Sequence, residues 1–140
     1  DISLIKNYWG SGEKRTYHHT APVNSLYGLY ESLLLVKEEG LENSWDRHLK
    51  NHMKLKEGLG ELGLDYLVDK KERTPQLNAI RVPEGVDEAK VRTRLLNEFN
   101  IEIGAGLGPL AGKIWRIGLM GHSSNQDNIN FLLDCLKKIL

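Results

Sequence analysis

The sequence predicts an α+β domain, a small and largely antiparallel sheet covered by helices. Its 140 residues, 40% of them hydrophobic, match one ordinary domain able to bury a core of its own. Apolar residues recur at the spacing of a helix face in some segments and at every second position in others, in the order helix, helix, strand, strand, helix, strand, strand, helix. That mixture fits helices laid on a small antiparallel sheet. No internal repeat, low-complexity tract or second domain boundary interrupts residues 1–140. Within them, 1–21 leads in, 22–62 holds two long helices, and 63–140 holds the sheet with its helices.

The first helix is predicted from Pro22 to Glu39, with Val23, Leu26, Tyr27, Tyr30, Leu33 and Leu34 on one face. Pro22 suits its first turn and Gly40 its stop. A second helix is expected over 43–62, with Trp45, Leu49, Met53 and Lys56 on one stripe, Leu55, Leu59 and Leu62 beside it, and Gly58 and Gly60 weakening its end. "GLDYLV" alternates Leu64, Tyr66 and Val68 as a half-buried strand, and the charged "DKKERTP" reads as a solvated loop. "QLNAIRVP" is a second strand closed by Pro83 and the turn Glu84-Gly85. Asp87 then caps a helix whose core face is Val91, Leu95 and Phe99. "IEI" at 101–103 and "KIWRIGLM" at 113–120 are two further strands joined by "GAGLGPLAG". Ser124-Asn125-Gln126-Asp127 resembles a capping box and opens a last helix with Ile129, Leu132, Leu133, Leu136 and Ile139 on one face.

Lys+Arg and Asp+Glu balance at 19 each, so no net field draws the chain onto nucleic acid or an anionic membrane, and neither is expected as a partner. The single Cys135, within "FLLDCLKKIL", excludes an intrachain disulfide or a multi-cysteine metal site and reads as a reduced interior thiol. No run approaches the ~20 apolar residues of a membrane span. "DISLIKNYWG" lacks a basic-then-apolar signal pattern, so a soluble, non-secreted protein is expected. A first residue other than Met suits a piece of something longer.

Four features invite chemistry. The glycines of Gly104-Ala105-Gly106-Leu107-Gly108-Pro109 let backbone amides approach a phosphate, but Pro109 stands where a dinucleotide fingerprint needs glycine, and the loop leads into a strand. A flexible or tightly turning connection near a site fits better. His48 and His52, four apart, have the spacing of a zinc pair, yet no third ligand completes a shell, and exposed or core-edge histidines are expected. His122 has no evident partner.

Alternation along "KIWRIGLM" sends Trp115, Ile117 and Leu119 to one face and Arg116 to the other. A planar guanidinium based on a rigid strand suits bidentate capture of a carboxylate; an exposed arginine on a solvated sheet face satisfies the same spacing. "TYHHTAPV" gathers the hydroxyls of Tyr17 and Thr20, two imidazoles and free amides at a helix start. It suits either an anion such as a phosphate or ordinary capping by Thr20.

"YHHTAPVNSLYGLYESLLLVKEEGLENSWDRH" and, far downstream, "IEIGAGLGPLAGKIWRIGLMG" together resemble the C-terminal part of the alanine–glyoxylate and serine–pyruvate aminotransferases. These are fold type I, class V enzymes that use pyridoxal 5'-phosphate. The resemblance runs through nearly all of the chain in one order. It implies a small C-terminal domain preceded by a large domain that carries most of the cofactor site, in a homodimer. It further implies that Tyr17 and Thr20 reach the cofactor phosphate of the other subunit, that Arg116 binds the substrate α-carboxylate, and that Gly106 and Gly108 shape the substrate entrance. His18 and His19 are then structural neighbours.

The Schiff-base lysine, with the aspartate that partners the pyridine nitrogen, would come from the large domain. No lysine here sits in a matching motif, so the chain carries no catalytic residue and is expected to be inactive alone. The implied reaction moves an amino group from alanine or serine to glyoxylate or pyruvate, small amino acids and oxoacids being the partners. The implied location is the peroxisome or mitochondrion, although the final "KKIL" is not a standard peroxisomal tripeptide. A stand-alone α+β binding or dimerisation module without catalysis is the reading from another class.

Overall fold

The computed structural model describes residues 2–8 and 19–140; Tyr17 and His18 lie outside them. Contacts divide the chain into two units, residues 1–40 and 41–140.

In the first unit a short helix α1 (Ile2–Ile5) runs into a 3-10 turn at Lys6–Tyr8, and the long helix α2 covers Val23–Glu39. Pro22 stands at its N-cap, and the Gly40 amide closes it by donating to the Val36 carbonyl. Its apolar face is not buried within the described residues: α2 buries none of its residues, and Tyr27 and Tyr30 are 70% and 62% exposed. Periodicity reports a face that favours cover; it does not say which part of a molecule provides it.

The second unit contains α3 (Leu41–Glu61), β1 (Leu77–Arg81), α4 (Glu88–Phe99), β2 (Gly104–Ala105), β3 (Ile114–Gly118) and α5 (Gln126–Ile139). The strands form an antiparallel sheet in the order β1-β3-β2, with Ala79 opposite Arg116 on one side of β3 and Gly104 opposite it on the other. Leu55 and Leu59 of α3, Val91 and Leu95 of α4 and Ile129, Leu132 and Leu136 of α5 form one core with Ile80, Trp115, Ile117 and Leu119. Alternation along β3 therefore places one face against the helices, as predicted, with Arg116 on the other.

Four strands were expected, and three form among the described residues. "GLDYLV" buries Leu64 but joins β1 only through the bridge Tyr66–Ile80, flanked by backbone bonds from Leu67 to Ala79 and from Arg81 to Asp65. The strand expected at 101–103 is displaced to Gly104–Ala105. Asn100 ends α4 in the left-handed conformation (φ 56°), and the Ile101 amide turns back to the Leu95 carbonyl, so "IEI" leaves a helix cap instead of entering a ladder. The "DKKERTP" segment includes a 3-10 turn at Lys70–Glu72.

Asp87 caps α4 as expected, accepting from the Lys90 amide at 3.0 Å. The cap of α5 is Asn125, one residue after the Ser124 that was predicted to open the motif. The buried face of α3 carries His48, Asn51, His52, Leu55 and Leu59, while Trp45, Leu49 and Met53 are exposed. The buried stripe is thus rotated by about a quarter turn from the one hydrophobicity selects.

Candidate functional site

Arg116 lies half-buried on the central strand. Its cross-strand neighbours, Ala79 and Gly104, are small, which leaves the surface beside them open to its side chain. The guanidinium Nε donates to the Ala105 carbonyl at 2.7 Å, and the two terminal nitrogens make no hydrogen bond or ion pair among the described residues. A positive fork fixed at one nitrogen and open at two can receive a carboxylate in bidentate fashion.

The glycine loop that follows β2 is tightly turned. The amides of Gly106, Leu110, Ala111 and Lys113 donate to the carbonyls of Ile114, Leu107, Gly108 and Leu110. These four amides are spent within the turn, which holds the loop as a tight connection between β2 and β3. Gly108 and Gly112 take positive φ angles of 52° and 73°.

Thr20, in the first unit, is exposed. It does not cap α2: the N-cap is Pro22, without a side-chain cap bond, and the Thr20 hydroxyl has no partner among the described residues. The amides of Asn24 and Ser25 in the first turn likewise have no acceptor there. A spare hydroxyl beside open first-turn amides suits an anion. The neighbouring His19 is engaged with the Tyr8 hydroxyl through its ring Nδ1, at 3.1 Å, and through its carbonyl. That contact fits a structural role for this histidine.

His48 and His52 are buried, not exposed or at the core edge, and both are occupied. His48 donates from Nδ1 to the Ser44 carbonyl at 2.6 Å and accepts the Gly121 amide on Nε2 at 3.1 Å, an arrangement that requires the neutral ring. His52 donates from Nδ1 to the Asn78 side-chain oxygen at 2.7 Å. Among the described residues no group of three or more His, Cys, Asp or Glu could hold a metal. His122 is exposed, and Cys135 is buried in the core, with burial holding its thiol above the ordinary value.

Sequence reading missed the Ala105 carbonyl, a backbone group that no side-chain motif reports. The available signal was the run of small residues, Gly104 to Gly106, beside an arginine strand.

The family model described as aminotransferase class-V matches residues 1–127. The chain belongs to the class V aminotransferases. It is 42% identical over 142 residues to an alanine–glyoxylate aminotransferase of Callithrix jacchus, and 41% identical over 140 residues to a (S)-ureidoglycine–glyoxylate transaminase of Bacillus subtilis. Each alignment covers 100% of this chain, but only 34% and 33% of those proteins. The crystal structure of an alanine–glyoxylate aminotransferase from Nostoc sp. superposes with a TM-score of 0.93 at 49% identity, covering 99% of this chain and 36% of that one. The chain thus spans about a third of the length of these class V relatives. The α+β fold with its antiparallel sheet is that of the solved family members.

Proposed function

We propose that this chain is the C-terminal part of a pyridoxal-phosphate-dependent aminotransferase that moves an amino group from a small amino acid, alanine or serine, to glyoxylate or pyruvate. The observation that carries the reading is Arg116, a guanidinium anchored by one nitrogen on a central strand with two nitrogens open. The two named curated relatives share glyoxylate and differ in the donor. That favours glyoxylate as an acceptor and leaves donor choice to residues outside this chain.

The residues present fit the cofactor at its phosphate end, where Thr20 and the first-turn amides offer donors, and Tyr17 is proposed to join them across a homodimer interface. Bound pyridoxal phosphate supplies the carbonyl that takes up the amino group and the ring that draws off electrons as Cα loses its proton. Arg116 holds the carboxylate of each substrate in turn and so fixes the orientation of Cα. Every described lysine is exposed or only half-buried, with no desolvated pocket to activate it. On the family resemblance, the Schiff-base lysine is assigned to the part of the enzyme outside this chain, and the chain alone is expected to be inactive.

In the complete protein, Arg116→Lys should lower kcat/KM for alanine by about ten- to a hundredfold, the scale of a charged hydrogen bond, with the cofactor absorbance unchanged. Unchanged kinetics would overturn the assignment. For the phosphate contacts, the double variant Tyr17→Phe, Thr20→Ala should lose cofactor on dialysis. Full retention would remove these residues from the site.

A further inference from the structure

The Arg116 anchor depends on a residue that does not touch it. A guanidinium can meet a carboxylate through Nε and one terminal nitrogen, or end-on through both terminal nitrogens. Here Nε is spent on the Ala105 carbonyl at 2.7 Å, which leaves the end-on edge. The side chain lies over Gly104, whose Cβ position would fall 3.3 Å from Nη2 and 3.4 Å from Nε.

The Ala105 carbonyl is set in turn by the chain reversal at Gly106. The Gly106 amide donates to the Ile114 carbonyl at 3.1 Å, tying the end of β2 to the start of β3. A Cβ at Gly106 would lie 1.9 Å from the Leu110 carbonyl oxygen and 2.6 Å from its carbon, both backbone atoms. Any side chain there must open the loop. Gly108 and Gly112 differ in kind: nothing lies within 4 Å of their Cβ positions, and only their positive φ constrains them.

We propose that Gly106 is a positioning residue for Arg116. By closing the 106–114 loop it places the Ala105 carbonyl on Nε, and so presents both terminal nitrogens end-on to the substrate carboxylate. The inference rests on the carboxylate role of Arg116 proposed above.

The test compares kcat/KM for alanine and for alaninamide, which lacks the carboxylate charge, in the complete cofactor-loaded protein. Gly106→Ala should lose about tenfold or more on alanine and little on alaninamide, and combining it with Arg116→Lys should cost no more than Arg116→Lys alone. Gly60→Ala, on the exposed side of α3 with nothing within 4 Å of the Cβ position, should keep the discrimination. Equal losses of Gly106→Ala on both substrates, or losses that multiply in the double variant, would overturn the positioning role while leaving the role of Arg116 intact. Arg116→Lys retaining the discrimination would overturn both.

Because Gly106→Ala can fail to fold, a second measurement uses the unsubstituted protein with 15N-labelled arginine. The Nε–H signal that disappears in Arg116→Lys should exchange with water at least about tenfold more slowly than that of the exposed Arg81, as a bonded group does. Exchange as fast as that of Arg81 would remove the anchor, and with it the proposal.

Discussion

Asn78 holds together the elements that carry Arg116, and removing its side chain should be costly. It is fully buried on β1, opposite Ile117, with Ala79 next to it facing Arg116. Its oxygen accepts from His52 Nδ1 at 2.7 Å and from the Tyr66 hydroxyl at 3.0 Å. Its nitrogen donates to the carbonyls of Ile117 at 3.2 Å and Pro75 at 3.4 Å. Asn78→Ala strands two donors that no other described group can reach without movement. Each unpaired buried group costs about 1–3 kcal/mol, and the half-buried Tyr66 hydroxyl sits at the low end because water can reach it. The sum is about 3 kcal/mol. With a urea dependence of about 1–1.5 kcal/mol per molar for a unit of this size, the unfolding midpoint should fall by about 2–3 M with the slope unchanged. Tyr66→Phe, which removes one donor without stranding another, should cost only about 1 kcal/mol. A midpoint for Asn78→Ala within about 0.5 M of the parent would refute the network as a source of stability.

Burial pushes the Tyr66 hydroxyl up to about 12, against the lowering effect of the Arg73 guanidinium 4.2 Å from the ring. The folded state therefore keeps this proton where the unfolded chain, with its ordinary value of 10.0, releases it. The contribution is complete below about pH 10 and declines as the pH rises towards 12, so base titration should show a steeper loss of stability in the parent than in Tyr66→Phe. Gly58 lies where α3 meets α5, and a Cβ there would fall 2.3 Å from Leu133 Cδ1. Gly58→Ala should cost no more than about 1 kcal/mol, because the Leu133 methyls can turn aside, and in a Leu133→Ala background should instead stabilise by up to about 1 kcal/mol through helix propensity. Thermal unfolding of the four proteins measures both signs, and a Gly58→Ala effect independent of residue 133 would contradict the packing.

What could be read from the sequence follows the range of the forces involved. Arg116 was legible because a period of two fixes sidedness locally, and Trp115, Ile117 and Leu119 occupy the alternate positions around it. The α4 cap was legible because Asp87 and the Lys90 amide it binds lie within one turn. The buried face of α3 was legible only in part: Leu55 and Leu59 are buried, while the stripe of Trp45, Leu49 and Met53 is exposed. His48, Asn51 and His52 are buried because Gly121, Ser124 and Asn78, distant in sequence, satisfy their polar atoms. "IEI" misled for a related reason. Its alternation is that of a strand, while the left-handed Asn100 and the Leu95 carbonyl turn it into the exit of a helix. Pairing with β3 passes to Gly104–Ala105.

Helices α2 and α5 show how one kind of pattern can have two outcomes. Both carry an apolar face at helical spacing; α5 buries Ile129, Leu132 and Leu136, whereas α2 leaves Leu26, Tyr27, Tyr30 and Leu33 more than half exposed. A contiguous apolar face of that size marks an interaction surface. Under the proposed function, the cover is the remainder of the aminotransferase and its second subunit. Thr20, three residues before α2 begins, then lies at the margin of an interface instead of on a free surface. A phosphate bound there would be shielded from water only in the assembled enzyme, where charged hydrogen bonds from hydroxyl and amide donors gain strength. Cofactor retention should accordingly depend on assembly, and dilution below the dimer dissociation constant should release pyridoxal phosphate in step with monomer formation. Release that does not follow protein concentration would place the phosphate contacts within one subunit.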